Sequence, residues 1–299
     1  MSTPLAPPAT IAFVGLGMMG KPMATRLVAA GYKLRIYDLS QQAMSEFVGA
    51  NPSVLATASP RAAAEGADAV VCMLPDGKIV RAAVLDGADP VAAGLAADAP
   101  LIDMSSSAPT GTVALGKALA ARGFAMIDAP VSGGVRRAID GSLAIMAGGD
   151  PVIVDRARPL LLAMGKTVFQ AGPLGAGHAV KALNNYLSAS SLVTMCEALI
   201  VGEKFGLDQE LMADVFNASS GMSNSTQVKA KPFVIPRNYA GGFSMALMAK
   251  DLRTASDLAR EVGAEAHTLK DMADIWQRAY EKLGREADHT AIHKILLGE

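Results

Sequence analysis

Residues 11–20 read IAFVGLGMMG. A short apolar run, Ile11 to Val14, ends on a glycine, and a helix-like segment from Met18 to Ala30 follows, closed by Gly31. Gly15, Gly17 and Gly20 stand at the spacing G-x-G-x-x-G between a strand and a helix. Glycines there permit the tight turn and let the backbone approach a pyrophosphate, while the free N–H groups and dipole of the helix start favour the anion. Pro22 falls in the first helical turn, where no N–H partner is needed. Asp38 ends the next strand, LRIYD (34–38), eighteen residues after Gly20. From that place a carboxylate accepts hydrogen bonds from an adenosine ribose. The stretch predicts a dinucleotide-binding βαβ unit, with Gly15, Leu16, Gly17, Met18, Met19, Gly20 and Asp38 as cofactor contacts. The Asp38 carboxylate repels a 2′-phosphate, and Leu39, Ser40, Gln41 and Gln42 bring no arginine to offset it. NAD is therefore expected over NADP.

Outward from this unit the alternation continues. SQQAMSEFVGA (40–50) reads as helix, DAVVCML (68–74) as strand, DGKIVRAAVL (76–85) as helix and PLIDM (100–104) as strand. Pro109 to Arg122 reads as helix, FAMIDAP (124–130) and SLAIMAGG (142–149) as strands, Pro151 to Met164 as helix, and TVFQ (167–170) as the last strand. Strands alternating with helices predict a mainly parallel, doubly wound sheet of the α/β class. After GPLGAG (172–177) no β-rich run recurs. The rest reads as helices, about Gly177 to Phe205, Asp208 to Ala218, Phe243 to Val262 and Ala266 to Leu283, with an irregular stretch over Asn217 to Gly242. The expected organisation is a flexible tail over 1–9, a Rossmann-type domain over 10–172, and an all-helical domain over 173–299 for substrate binding and oligomerisation.

Composition excludes several functions. A net charge of −1 leaves no electrostatic footprint for nucleic acid or an anionic membrane. The first nine residues, MSTPLAPPA, have no basic stretch and no apolar run, so they are not a signal peptide. The best candidate for a membrane span, Leu187 to Val201, is too short and is interrupted by Glu197. Cys72 and Cys196 lie in apolar runs and suit a reducing compartment, so a cytoplasmic location is expected. Leu192 to Val201 is apolar on every face, which predicts burial in a core or a subunit interface.

Two further stretches hold chemistry. In GAGHAVKALNN (175–185) one lysine, Lys181, interrupts a helix of small and apolar residues. Partial burial of an amine disfavours its charged form and suits it to act as a general acid or base. Asn185 lies one turn later on the same face. The competing account is a lysine reaching along the helix edge to solvent, and the stretch alone leaves both open. In DAPVSGG (128–134), Ser132, Gly133 and Gly134 follow a strand end, where a hydroxyl and backbone N–H groups can cup a carboxylate.

Taken together, GLGMMGKPM, DAPVSGG with the following GSLAIMAGG, GAGHAVKALNN and GGFSMALMAKDL (241–252) closely resemble the β-hydroxyacid dehydrogenase family. Its members include 3-hydroxyisobutyrate dehydrogenase, tartronate semialdehyde reductase and 6-phosphogluconate dehydrogenase. The resemblance runs from about Thr10 to Leu297. It implies Lys181 as the catalytic lysine, Asn185 as the substrate-orienting asparagine, and Ser132, Gly133 and Gly134 as the substrate carboxylate loop. It implies Leu74 and Pro75 on the cofactor side, Ser106 near the nicotinamide in place of the usual threonine, and Lys250 close to the nicotinamide. The implied reaction interconverts a small β-hydroxy acid and its semialdehyde, with NAD preferred and NADP possible. A homodimer or homotetramer is expected.

The family pattern leaves the substrate open. At NASSGMSNSTQVKAK (217–231), Met222 takes the position that 3-hydroxyisobutyrate dehydrogenases give to arginine, and Ser223, Asn224, Ser225 and Thr226 follow. Hydroxyls and an amide suggest a polar acid, which keeps tartronate semialdehyde, threonate-like acids and sulfolactaldehyde as alternatives. A binding module without catalysis is a remote alternative, because Lys181 and Asn185 are both present. His289 and His293 are four residues apart but lack an H-E-x-x-H glutamate, so no metal is expected.

Overall fold

Strands form where apolar runs were flanked by glycine, proline or aspartate. They are β1 (Thr10–Val14), β2 (Lys33–Tyr37), β3 (Leu55–Ala56), β4 (Ala69–Cys72), β5 (Leu101–Asp103), β6 (Met126–Asp128), β7 (Val131–Ser132), β8 (Leu143–Gly148) and β9 (Gly165–Gly172). They join one sheet in the order β3-β2-β1-β4-β5-β6-β8-β7, with β9 also paired to β8. From β3 to β6 every pairing is parallel, in the order of a doubly wound dinucleotide-binding sheet. β8 then runs antiparallel to β6 and β7, and β9 parallel to β8. Alternate residues of β1 enter different cores: Ile11 and Phe13 pack with Ile36, Ile102 and Ile127, and Ala12 and Val14 with Val70, Cys72 and Leu101. A sheet covered on both faces explains why these strands read as unbroken apolar runs.

The helices between these strands are α1 (Gly20–Ala29), α2 (Gln41–Ala50), α3 (Pro60–Ala64), α4 (Gly77–Arg81), α5 (Pro109–Ala120), α6 (Gly134–Asp140) and α7 (Pro151–Leu162). After β9 come α8 (Ala176–Phe205), α9 (Gln209–Asn217), α10 (Asn224–Val228), α11 (Met245–Glu261), α12 (His267–Leu283) and α13 (Ile292–Leu297). A computed structural model describes residues 3–299. The chain divides into two compact units, Met1–Lys181 and Ala182–Glu299. The division falls within α8, because the first turns of that helix are tied to the sheet by Asp128 and by the Val131 carbonyl. The helical unit has its own core, built on Leu192, Cys196, Leu199, Met245, Leu252, Trp276 and Ile292. No helix of the described residues is long and apolar enough to cross a membrane.

Three expectations change. Residues 1 and 2 of the expected tail lie outside the described residues. From Thr3 onward the tail is tied down rather than frayed: Leu5 is buried, its N–H donates to the Arg156 carbonyl at 2.9 Å, and its carbonyl accepts from Tyr32 Oη at 2.9 Å. A single leucine between stiff prolines loses little entropy in docking. The irregular stretch 217–242 contains α10, whose N-terminus is closed by a Ser223–Thr226 capping box. VSGGVRRAID holds a strand, β7, and a helix, α6, too short for periodicity to announce. The stretch Leu192 to Val201, expected in a core or a subunit interface, divides within the single chain. Leu192, Val193, Cys196 and Leu199 are core, while Val201 is 68% exposed.

Candidate active site

The glycine-rich turn divides its work as the pattern requires. Gly15 has φ +103°, and a Cβ there would stand 2.3 Å from the Met73 carbonyl oxygen, so only glycine makes the turn. A Cβ on Gly20 would lie 2.0 Å from the Gly15 carbonyl oxygen, so the helix start packs against the turn without room for a side chain. Gly17 faces open space, with nothing within 4 Å of its Cβ position. α1 begins with no side-chain cap; the Lys21 N–H is taken by the Gly17 carbonyl at 3.0 Å and Pro22 has none, so the turn and the Gly20 N–H face a phosphate. Beside the turn a groove of about 530 Å³ is lined by Leu16, Gly17, Met18, Lys21, Val135 and Ile139 among others. Leu16 is buried, Met19 half-buried and Met18 exposed.

Asp38 does more than await a ribose. Its Oδ2 accepts from the Leu16 N–H at 2.6 Å and its Oδ1 from the Ser40 N–H at 2.7 Å. One carboxylate thus holds the glycine-rich turn and the start of α2 together. Leu74 and Ser106 come from the loops after β4 and β5. The Leu74 N–H donates to Ser105 Oγ at 2.9 Å, and the serine loop turns on Asp103, which accepts from Ser105 N–H at 3.0 Å and Ser107 Oγ at 2.9 Å. Ser106 is left half-buried between two buried serines, with Pro75 exposed. These residues suit a dinucleotide: an open approach at Gly17, an uncapped start of α1 and a carboxylate at the end of β2.

Lys181 sits in the same unit, on the second turn of α8. It is half-buried, and its Nζ donates to the Val131 carbonyl at 2.8 Å. Val131 precedes Ser132, Gly133 and Gly134, so the lysine lies beside that loop. Gly133 and Gly134 have φ of +131° and +68° and are exposed, and Ser132 is half-buried. The start of α8 is set by Asp128, a residue quoted in the motif but given no role. Its two oxygens accept from the Gly175 and His178 N–H groups, each at 2.7 Å. Burial pushes the Asp128 carboxyl up, while His178 and the two amide bonds pull against it. His178, also buried, donates from Nε2 to the Ser105 carbonyl at 3.1 Å, and its Nδ1 lies 2.8 Å from Thr112 Oγ1. The first turn of α8 is therefore fastened to the serine loop and to α5. His178 is a structural tie rather than a cleft-lining group.

In the helical unit, Asn185 is half-buried and donates from Nδ2 to Asp251 Oδ2 at 2.5 Å. Asp251 is buried, and Lys250 Nζ stands 3.8 Å from its other oxygen. The sequence offers Lys250 but gives no role to its neighbour; the signal was a carboxylate following that lysine on a mostly buried helix face.

Two domain families match the chain. Residues 10–172 match the NAD binding domain of 6-phosphogluconate dehydrogenase, and residues 175–296 match the NAD-binding domain of NADP-dependent 3-hydroxyisobutyrate dehydrogenase. The chain belongs to the β-hydroxyacid dehydrogenase family. It is an NAD(P)-dependent dehydrogenase acting on CH–OH groups. Among curated relatives, the NAD-dependent L-serine dehydrogenase of Pseudomonas aeruginosa is 40% identical over 292 residues, covering 95% of this chain and 97% of that one. The 2-(hydroxymethyl)glutarate dehydrogenase of Eubacterium barkeri is 35% identical, covering 95% of this chain and 94% of that one. Among solved structures, a Mycobacterium tuberculosis 3-hydroxyisobutyrate dehydrogenase with L-serine superposes with a TM-score of 0.88 at 34% identity, covering 96% of this chain and 99% of that one. The β-hydroxyacid dehydrogenase family thus accounts for residues 10–172 and 175–296, and the substrate is the open variable.

Proposed function

We propose that this chain uses NAD to interconvert the hydroxyl of a small β-hydroxy acid and the corresponding semialdehyde, with Lys181 as general acid and base. The observation behind the proposal is the amine of Lys181, half-buried and hydrogen-bonded to Val131 at the head of the Ser132–Gly134 loop. Bound NAD supplies the hydride acceptor. Ser132 Oγ and the N–H groups of Gly133 and Gly134 take the substrate carboxylate. Lys181 Nζ takes the hydroxyl proton as the alcohol is oxidised and returns it to the carbonyl oxygen in the reverse direction. Asn185, held by Asp251, keeps a second Nδ2 hydrogen for the same oxygen. The protein's share is position and charge. Leu74, Pro75 and Ser106 are assigned to the cofactor, and Lys250 keeps the cofactor role that the family resemblance implies. Asp38 favours NAD over NADP. The two cysteines are buried and unpaired, which supports a reducing compartment such as the cytoplasm.

L-serine and 3-hydroxyisobutyrate lead the substrate panel because relatives with those substrates match this chain along most of its length. Glycerate and 2,3-dihydroxypropane-1-sulfonate, whose oxidation yields tartronate semialdehyde and sulfolactaldehyde, complete it together with threonate. Absorbance of reduced nicotinamide, read with NAD and with NADP, is expected to rise with at least one acid and to stay flat in Lys181→Ala. Turnover that survives in Lys181→Ala removes the lysine from the mechanism, and cofactor binding without turnover of any acid favours the binding module. A homo-oligomer through the helical unit is the companion proposal, supported by exposed apolar side chains at the end of α8 and on α9: Val201, Phe205, Leu211 and Val215. Light scattering is expected to give more than one copy, and Phe205→Glu with Val201→Asp to give fewer.

A further inference from the structure

Lys229 is a charged group that the reaction does not use. It follows α10, and only 9% of it is exposed. An ammonium has three hydrogens to donate. Among the described residues, Lys229 Nζ reaches one acceptor, Ser188 Oγ, at 3.4 Å. No carboxylate of the described residues lies within ion-pair distance of it. Asp288 faces it from farther off, and the Asp288 oxygens are engaged by the Gly242 N–H at 2.7 Å, the Thr290 N–H at 2.8 Å and Thr290 Oγ1 at 2.5 Å. Cys196 and His289 are the other titratable groups near it. A buried charge without a counter-charge is costly, and an anionic group brought beside it offsets that cost.

The place of this amine says which ligand. Ser188 stands three residues after Asn185 on α8, so the two side chains are neighbours on one helix face, one rise of roughly 4.5 Å apart. Both are half-buried. Hydroxyls continue beyond them: Ser191 Oγ and Ser225 Oγ are 2.9 Å apart, and Ser225 Oγ donates to the Ser188 carbonyl at 3.4 Å. The face thus runs from the substrate-orienting amide to a hydroxyl backed by an unneutralised ammonium.

We propose that Lys229 and Ser188 form a second anion site beside Asn185, and that the substrate is a β-hydroxy acid bearing a further carboxylate on a short C2 substituent. This rests on the assignment of Asn185 to the substrate hydroxyl. The added carboxylate goes to Lys229, about one helical turn from Asn185 on the same unit. Two methylenes beyond C2 span that distance.

The test is calorimetric titration of NAD-loaded protein with 2-(hydroxymethyl)glutarate and with 3-hydroxyisobutyrate, which differ at C2 by that carboxylate arm. The wild type is expected to bind the diacid at least about ten-fold more tightly, the size of one charge-assisted bond. Lys229→Met is expected to bring the two acids within about two-fold of each other, and Lys229→Arg to keep the preference. A diacid no tighter than the monoacid in the wild type overturns the proposal, as does a preference that survives in Lys229→Met. Binding does not depend on turnover. If neither acid reduces NAD but the Lys229-dependent preference is seen, the anion site stands and the proposed reaction falls. If 3-hydroxyisobutyrate is oxidised and the preference is missing, the reaction stands and the anion site falls.

Discussion

Asp38 serves the fold, and in the proposed reading it also sets the choice of cofactor. Its carboxylate accepts from the Leu16 and Ser40 N–H groups, so it shapes the turn that a dinucleotide meets before any ribose arrives. Each oxygen keeps a lone pair for a ribose hydroxyl. A 2′-phosphate would meet the same negative charge, and the neighbouring Leu39 is 85% exposed and offers nothing to it. Exchanging the pair, Asp38→Gly with Leu39→Arg, removes the repulsion and supplies a bidentate phosphate partner. The ratio of kcat/KM for NAD over NADP is expected to fall by at least about ten-fold, one charged hydrogen bond's worth. Part of the loss with NAD will come from the released Leu16 and Ser40 amides. The single substitution Asp38→Gly separates that share, since it loosens the turn without adding the arginine. An unchanged ratio in the double variant would mean that selection lies elsewhere in the loop.

The start of α8 is where local structure becomes chemistry. Asp128 ends β6 and holds the Gly175 and His178 N–H groups, which a helix start leaves without intrahelical partners. Three residues beyond His178 stands Lys181, so the carboxylate sets the direction in which the amine leaves the helix. Asp128→Asn keeps one acceptor but turns an amide N–H toward a backbone N–H. The expected cost is about 2 to 4 kcal/mol, the range for an unsatisfied buried donor at a charged site. Thermal unfolding reads that loss. A fall in kcat larger than the rise in KM would show that the helix start also aims Lys181, whereas a lower melting point with kinetics unchanged would confine Asp128 to stability. The sequence announced every partner of this arrangement except the arrangement itself. DAPVSGG and GAGHAVKALNN were both legible, because glycine spacing and a lone lysine stand out in an apolar run. The bond between them joins residues 47 and 50 positions apart, and local pattern has no view of such a contact. The same limit hid Asp251, whose service to Asn185 spans 66 positions. Short elements were lost for a different reason: β3 has two residues and α6 seven, fewer than periodicity can mark.

Across the whole chain, the alternation of strands and helices and its end near Gly172 were open to a reader of the sequence, because burial on both sheet faces leaves unbroken apolar runs and helical amphipathicity writes a period between them. What could not be read is the energetic imbalance that the fold tolerates, and Lys229 is its clearest case. Desolvation by burial draws its amine from 10.5 down to about 8, against the pull of Asp288 and Cys196. In the unfolded chain the same amine keeps its proton up to the ordinary value. Between pH 8 and pH 10.5 the unfolded state therefore binds more protons than the folded state, and stability rises with pH through that window. Below pH 8 the fold bears the full cost of the buried charge, on the order of 3 kcal/mol from 10.5 less 8 at about 1.4 kcal/mol per pH unit. Lys229→Met keeps the stem's packing and removes the charge. It is expected to raise the urea midpoint of the helical unit at pH 7, and the gain is expected to fade as the pH approaches 10.5. A variant less stable than the wild type at pH 7 would mean that the ammonium is already neutralised within the fold, leaving no charge for a ligand to answer. With a stabilising substitution confirmed, adding the diacid closes the argument: it should raise the wild-type midpoint more than that of Lys229→Met, because only the wild type has a buried cation whose cost the second carboxylate can offset.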